Sequence, residues 1–291
     1  MDIFINGTKF RRGCLKYSVN ESFFRVWSRK MAYILGFTFA DGNIYKTSLA
    51  WDIQKRDVNL LQKINKAIKS NYPILQRKIS FRLRISNQIF IKGAINKGLL
   101  PKKYMRKIFP QIPRHLIRHF IRGYLDGDGW IVHRTGRNEI DLGFVCGNKN
   151  FLEDIEKEIK NRLGIVGRVR GRTKITPTGI RSLTYHLEYY SSNAVEVAMW
   201  LYGNLSKDDI FLKRKYLKYI EAKRIYKVIW SRFRSKRLLQ KEYKKSLKCI
   251  LLDLYFKKHL NGMQISKILK TSKSSVYRWL ELTGVKYLNY G

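Results

Sequence analysis

Two aspartates stand in matching contexts. Asp41 ends the segment Tyr33-Ile34-Leu35-Gly36-Phe37-Thr38-Phe39-Ala40-Asp41-Gly42, and Asp128 ends Phe120-Ile121-Arg122-Gly123-Tyr124-Leu125-Asp126-Gly127-Asp128-Gly129. Both copies keep Gly-x-x-x-small-Asp-Gly. A carboxylate at a helix C-terminus adds to unsatisfied carbonyls and the negative end of the dipole, a setting that repels anions and attracts hard cations. Two such ends brought together would make an oxygen-rich site for Mg²⁺, with Mn²⁺ or Ca²⁺ as substitutes. Divalent ions held between carboxylates activate water and stabilise the leaving oxygen of a phosphodiester. A lone Asp-Gly after a helix reads as a stop signal; the repetition makes this pair a candidate site. Asp126 is matched by Phe39 in the first copy and therefore reads as a structural or capping carboxylate.

The elements that must hold the two aspartates are legible around them. Each segment is apolar on nearly every side and so belongs in a buried helix. Gly36 and Ala40, and Gly123 and Gly127, are small residues four apart, which lets the two helix backbones approach closely and brings Asp41 and Asp128 together. A strand with period-two alternation follows each helix: Leu49, Trp51 and Ile53, then Ile140, Leu142, Phe144 and Cys146. Next come capping residues, Asp57 and Asn148, with apolar side chains at offsets of 3, 4, 7 and 11: Leu60, Leu61, Ile64 and Ile68, and Phe151, Leu152, Ile155 and Ile159. Phe81, Leu83 and Ile85 alternate with Arg82 and Arg84 as Leu183, Tyr185, Leu187 and Tyr189 alternate with Thr184, His186 and Glu188. A further helix closes each unit. The order is a duplicated αββαββα unit, an α+β protein with two antiparallel sheets, each with one basic or polar face.

The predicted boundaries are an N-terminal extension over 1–29, a first half over 30–111, a second half over 112–223, a basic helical connector over 224–245 and a small all-α module over 246–291. In that module the helices expected over Leu247–His259, Gln264–Leu269 and Ser274–Leu282, with Thr271-Ser272-Lys273 between the last two, have the layout of a helix-turn-helix. Lys270 stands where a left-handed glycine is usual. Ser274, Ser275, Tyr277 and Arg278 would lie nearest the bases; the alternative is a purely structural packing module.

Lys and Arg outnumber Asp and Glu by 60 to 21, a net charge of +39, which implies a polyanion partner. A hydrophobic content of 44% over 291 residues suffices for real cores and argues against an extended ribosomal protein. The charge is spread along the whole chain, and no apolar run spans a membrane or reads as a signal peptide. Cys14, Cys146 and Cys249 follow no metal-binding pattern and read as reduced thiols in the cytoplasm of a prokaryotic or phage-encoded protein, an organelle being the other setting. His115 and His119, four apart without a partner at ligand spacing, read as a surface pair.

With these residues in view, the two segments resemble the paired signatures of single-chain LAGLIDADG homing endonucleases over roughly residues 20–222. Phe109-Pro110-Gln111-Ile112-Pro113 ahead of the second signature and Phe211-Leu212-Lys213-Arg214-Lys215-Tyr216 near its end add to the likeness. The resemblance implies a pseudo-twofold saddle of two sheets over a long DNA duplex, cleavage of both strands across the minor groove, and short 3′ overhangs. It maps the metal carboxylates to Asp41 and Asp128, with carbonyls of Ala40 and Gly127 or of Gly42 and Gly129 completing the shell. It places water-ordering residues at Gln54 or Lys55 in the first copy and at Cys146 in the second, and assisting cations at Lys103 and Lys213. Outward strand residues Gln54, Arg82, Arg84, Arg168, Arg170 and Arg172 are then candidates for DNA contact, most of them with phosphate. Because the halves differ in nearly every polar strand residue, the target would be asymmetric and a monomer sufficient, without a protein partner. An RNA maturase on the same fold and a non-cleaving DNA-binding regulator are the competing readings.

Overall fold

The structure, a computed structural model, describes residues 3–5, 8–10, 16–45, 47–100, 108–134, 139–175, 179, 181–230 and 236–285. A hairpin of β1 (Ile3–Ile5) and β2 (Thr8–Phe10) precedes α1 (Arg29–Asp41), which Ser28 opens by accepting the Met31 amide at 3.1 Å. Then follow β3 (Gly42–Tyr45), β4 (Ser48–Gln54), α2 (Val58–Ala67), β5 (Ile74–Gln76), β6 (Ser80–Ile85) and α3 (Gln88–Ile95). The second half repeats the order with α4 (Ile117–Asp128), β7 (Gly129–Arg134), β8 (Glu139–Cys146), α5 (Lys149–Leu163), β9 (Arg168–Ile175), β10 (Arg181–Tyr190) and α6 (Ser191–Tyr202), and continues into α7 (Lys213–Trp230). Each half holds one four-stranded antiparallel sheet, in the orders β3-β4-β6-β5 and β7-β8-β10-β9. The chain divides by contact density into units Met1–Ala222 and Lys223–Gly291.

Packing of α1 on α4 organises the first unit. A methyl group added at Gly36 would lie 2.0 Å from the Phe120 carbonyl oxygen, and one at Gly123 2.0 Å from that of Tyr33. Backbone therefore touches backbone, and no side chain fits between. Around this contact Met31 to Ala40 and Ile117 to Asp126 are buried with few breaks. Phe39 packs edge-on to Phe120 and stacks with Phe151 of α5, and the Trp51 indole of β4 donates to Thr38 at 3.0 Å.

Three sequence expectations change here. His119 is 1% exposed and does not share a surface pair with His115. Burial and the guanidinium groups of Arg122 and Arg118 push it down to about 3, so it is neutral. Its face of α4 is closed by α6 and the segment that follows: Arg122 donates to the carbonyls of Leu201 and Ile210 at 3.2 and 3.3 Å. Asp57 does not cap α2, because a 3₁₀ turn over Lys55–Asp57 leaves it at φ −104 and ψ 8, outside the extended conformation a cap needs. Its carboxylate instead accepts from Arg214 at 2.9 Å, whereas Asn148 does cap α5. The helix expected over Leu247–His259 is α-helical only to Leu252 and continues as a π-turn over Asp253–Lys257.

The second unit comprises α8 (Lys236–Tyr243), α9 (Leu247–Leu252), α10 (Gly262–Ile268) and α11 (Lys273–Leu282) around Leu239, Leu247, Ile250, Leu251, Leu254, Ile265, Leu269, Val276, Leu280 and Val285. Asn261 and Gln264 form a reciprocal capping box at α10 and Ser272 caps α11. Lys270 in the intervening turn takes φ +48, the left-handed conformation glycine adopts without strain. Among the described residues no helix is long and apolar enough to cross a membrane.

Two outcomes are expected. Gly36→Ala and Gly123→Ala should each lower stability by about 3 kcal/mol or more, read by chemical denaturation, since the backbones must separate; a near-neutral result would contradict the contact. For His119 the folded value lies below the unfolded 6.5, so its neutral form contributes stability above that pH and loses it as pH falls towards about 3. His119→Gln should therefore flatten the decline in stability between pH 6.5 and 4 relative to the unmodified chain.

Candidate active site

The helix contact carries Asp41 and Asp128 to one place. Both are half-buried at the ends of α1 and α4. A methyl group at Gly127 would meet the Ala40 methyl at 2.3 Å and an Asp41 carboxylate oxygen at 3.3 Å, so the Asp41 side chain reaches the other helix's end. Two carboxylates at apposed helix C-termini repel each other and need a cation.

One cation is built in, at a position the sequence reading passed over. Lys215 of α7 is 4% exposed, and its ammonium donates to the carbonyls of Leu125, Asp126 and Gly129 at 2.5, 2.8 and 2.6 Å, with Gly127 at 3.5 Å. It satisfies the last carbonyls of α4, which a helix end otherwise leaves without donors. Burial lowers its pKa to about 8 against the opposing pull of Asp126, Asp41 and Asp128. It is thus charged at neutral pH and close enough to feel both signature carboxylates. Lys213, chosen from the same run, points to solvent. A signal was present: Lys215, Tyr219 and Ala222 are spaced four and three apart, the buried face of a helix, and Lys213 falls off it.

Asp126 anchors this lysine's helix. Fully buried, it accepts from Tyr33 at 2.7 Å, Tyr202 at 2.6 Å and the Leu212 amide at 2.8 Å, just ahead of α7. Burial raises its pKa, and those donors with Lys215 oppose the rise. Tyr124 donates to the Val145 carbonyl at 2.9 Å beside Cys146; burial, Cys146 and Asp128 hold its phenol well above the usual range. Cys146, a half-buried free thiol, ends β8 as the exposed Gln54 ends β4 next to the exposed Lys55. Lys103 lies outside the described residues.

Hard oxygen donors in this arrangement fit a divalent ion: two carboxylates with nearby main-chain carbonyls. Ala40 and Gly42 flank Asp41, and Gly127 flanks Asp128. Of the carbonyls proposed for the shell, Lys215 engages that of Gly129 at 2.6 Å and that of Gly127 at the longer 3.5 Å. Among the described residues no three His, Cys, Asp or Glu side chains cluster as a metal centre.

Cross-strand register fixes which strand residues share a face. Asp52 pairs with Arg82, Ala50 with Arg84 and Gln54 with Ser80, on the side of the first sheet away from Leu49, Trp51 and Ile53. In the second sheet Arg168, Arg170 and Arg172 pair with Glu188, His186 and Thr184, away from the buried Leu187 and Tyr189. Ser274, Tyr277 and Arg278 of α11 are exposed in their own unit and Ser275 is half-buried.

Residues 115–198 match the LAGLIDADG-like domain family. The match lies within the second half of the chain, and the first half repeats the element order of the second. Among solved structures, the LAGLIDADG meganuclease I-AabMI bound to uncleaved DNA is 12% identical with a TM-score of 0.46, covering 68% of this chain and 91% of that one. The I-LtrWI LAGLIDADG homing endonuclease bound to target DNA is 11% identical with a TM-score of 0.43, covering 75% and 93%. Full-length DUF199/WhiA from Thermatoga maritima is 16% identical with a TM-score of 0.40, covering 94% and 98%. No curated protein sequence matches the chain.

If Lys215 is held as described, NMR titration of the lysine ε-methylenes should show one resonance moving near pH 8, well below the ordinary lysine range, and missing in Lys215→Met. A chain in which every lysine titrates above pH 10 would contradict the site.

Proposed function

We propose that the protein is a site-specific DNA endonuclease that makes a metal-dependent double-strand break in a long asymmetric duplex target, acting as a monomer with Mg²⁺. The observation that carries this reading is the meeting of Asp41 and Asp128 at the ends of two touching helices, each helix followed directly by a sheet with outward arginines. Asp41 and Asp128, with the carbonyls of Ala40 and Gly127, would hold the divalent ion. When bound, that ion supplies an activated water and charge for the leaving oxygen.

The chain's own groups do the rest. Lys215 holds the end of α4 rigid and sets a positive charge behind both carboxylates, favouring an approaching phosphate. Gln54 and Lys55 order water on the first side; Cys146 takes that position on the second, where the thiol is a weak hydrogen-bonding group. Arg82, Arg84, Arg168, Arg170 and Arg172 bind the duplex, and Lys213 contacts phosphate. In the second unit α11 acts as a recognition helix, with Ser274, Ser275, Tyr277 and Arg278 towards the bases.

Cleavage of a randomised duplex library with Mg²⁺ tests the reading. The unmodified chain should cut a sequence-defined subset on both strands. Asp41→Asn and Asp128→Asn should slow cutting by on the order of a hundredfold or more while leaving binding in place. Binding without any cutting by the unmodified chain would favour a regulator instead. Because the water-ordering partners differ, Gln54→Ala should slow one strand more than the other, seen as accumulating nicked product. Deleting residues 225–291 should shorten the nuclease-protection footprint at one end; an unchanged footprint would remove α11 from the interface.

A further inference from the structure

The outward sheet faces are not uniformly basic. Carboxylates sit among the arginines, although a surface that meets phosphates loses affinity with each negative charge it keeps. Each accepts from an arginine, through different guanidinium nitrogens. Arg82 turns one edge onto Asp52, with Nε donating to both carboxylate oxygens at 2.8 Å and Nη2 donating to one of them. In the second sheet Arg134 Nε donates to Asp141 at 2.6 Å. Arg172 Nη2 donates to Glu188, whose second oxygen accepts from Tyr190 at 2.7 Å. Asp141 and Glu188 are buried, while the side chains of Arg134 and Arg172 are 57% and 52% exposed. In these two pairs the carboxylate is fixed underneath and the guanidinium projects, whereas in the first sheet Asp52, 38% exposed, lies beside Arg82, 29% exposed. Both second-sheet pairs line one cavity of about 300 Å³ on that face.

A guanidinium has five donors in a rigid plane. When its Nε edge is taken by a carboxylate, as in Arg82 and Arg134, the Nη1–Nη2 end keeps two parallel N–H groups that the carboxylate does not use. Two parallel donors match the O6 and N7 acceptors of guanine in the major groove, which no other base offers. The carboxylate also removes rotamer freedom during folding rather than on binding. Arg84, whose Nε donates to the Ser48 hydroxyl at 2.9 Å, has a neutral support and keeps its full charge for phosphate.

We propose that Arg82 and Arg134 each read a guanine in the target and that Asp52 and Asp141 are the positioning residues that set this specificity. The assignment rests on the reading that duplex DNA lies on these faces. It divides the sheet arginines by function: those held at Nε by a carboxylate choose sequence, the others supply charge.

The test is selection of bound duplexes from a randomised library, in EDTA and in parallel with Ca²⁺, followed by sequencing. The full chain is compared with Asp52→Asn, Asp141→Asn and Arg82→Lys. The unmodified chain should enrich a motif containing guanines. Each carboxylate variant should lose on the order of tenfold guanine preference at one position, a different position for each, with the rest of the motif kept. Binding to random duplex should hold or tighten, because a negative charge has gone. Arg82→Lys, which keeps the charge but not the fork, should lose the same position as Asp52→Asn and carries the test should the latter fail to melt cooperatively. An unchanged motif, or loss spread evenly over all positions, would overturn the assignment. A motif enriched by the unmodified chain but indifferent to every variant would overturn it alone; no motif at all would overturn the DNA reading beneath it.

Discussion

Everything in the first unit depends on two helix backbones being in contact. At Gly36 and Gly123 the carbonyls of the opposite helix occupy the volume a methyl group would need. Helices with side chains between them stand some 8–10 Å apart; only small residues allow less. The consequence appears at the ends of the helices, where Ala40, Gly127 and the Asp41 carboxylate crowd together. A wider pair would separate the carboxylates and leave two ordinary helix termini, so the site follows from the packing. The packing also creates the electrostatic problem that Lys215 partly resolves, by placing an ammonium on the carbonyls of one terminus.

The two halves solve the surroundings of this contact differently. At matching positions the first copy has Phe39, which joins Phe120 and Phe151 in an aromatic cluster, and the second has Asp126, which gathers two phenols and an amide. The apolar solution is supported by burial alone. The polar one stands only while all partners are present, because a buried carboxylate that loses a donor costs more than the bond was worth. What it adds is direction: Asp126 holds Leu212, the start of α7 is fixed, and Lys215 is delivered to the end of α4. A homodimer could not make this division, since both copies would carry the same residue; a fused pair can.

Local periodicity made the frame readable. The repeated Gly-x-x-x-small-Asp-Gly, the alternation around Trp51 and Leu142, and the spacing after Asn148 each depend on neighbours in sequence, and each corresponds to an element of the structure. The features that were not readable are long-range. Asp57 has the composition of a helix cap, but its partner is Arg214 in the other half. His119 looks like half of a surface pair until Arg122 and the segment around Asp209 close over it. Lys215 lies two residues from the lysine chosen by motif, and only the burial of α7 separates them. The left-handed Lys270 is the same lesson in reverse: the turn forms against its residue preference because the helices on either side are capped and packed.

Charge and sequence reading are separate demands on such a surface, and they conflict. With a net charge of +39 the chain attracts any duplex, and each phosphate engaged adds roughly 0.9 to the salt dependence whatever the bases are. Adding arginines to the sheets would strengthen binding everywhere and sharpen it nowhere. Discrimination requires donors held in a fixed direction. On a flexible, fully charged side chain the nearest phosphate competes for them. A carboxylate against the Nε edge of the guanidinium weakens the general attraction by one charge, a small loss among so many, and holds the fork in one orientation. A strongly basic protein is therefore where a few acidic residues on the binding face are cheapest in affinity and most useful in selectivity.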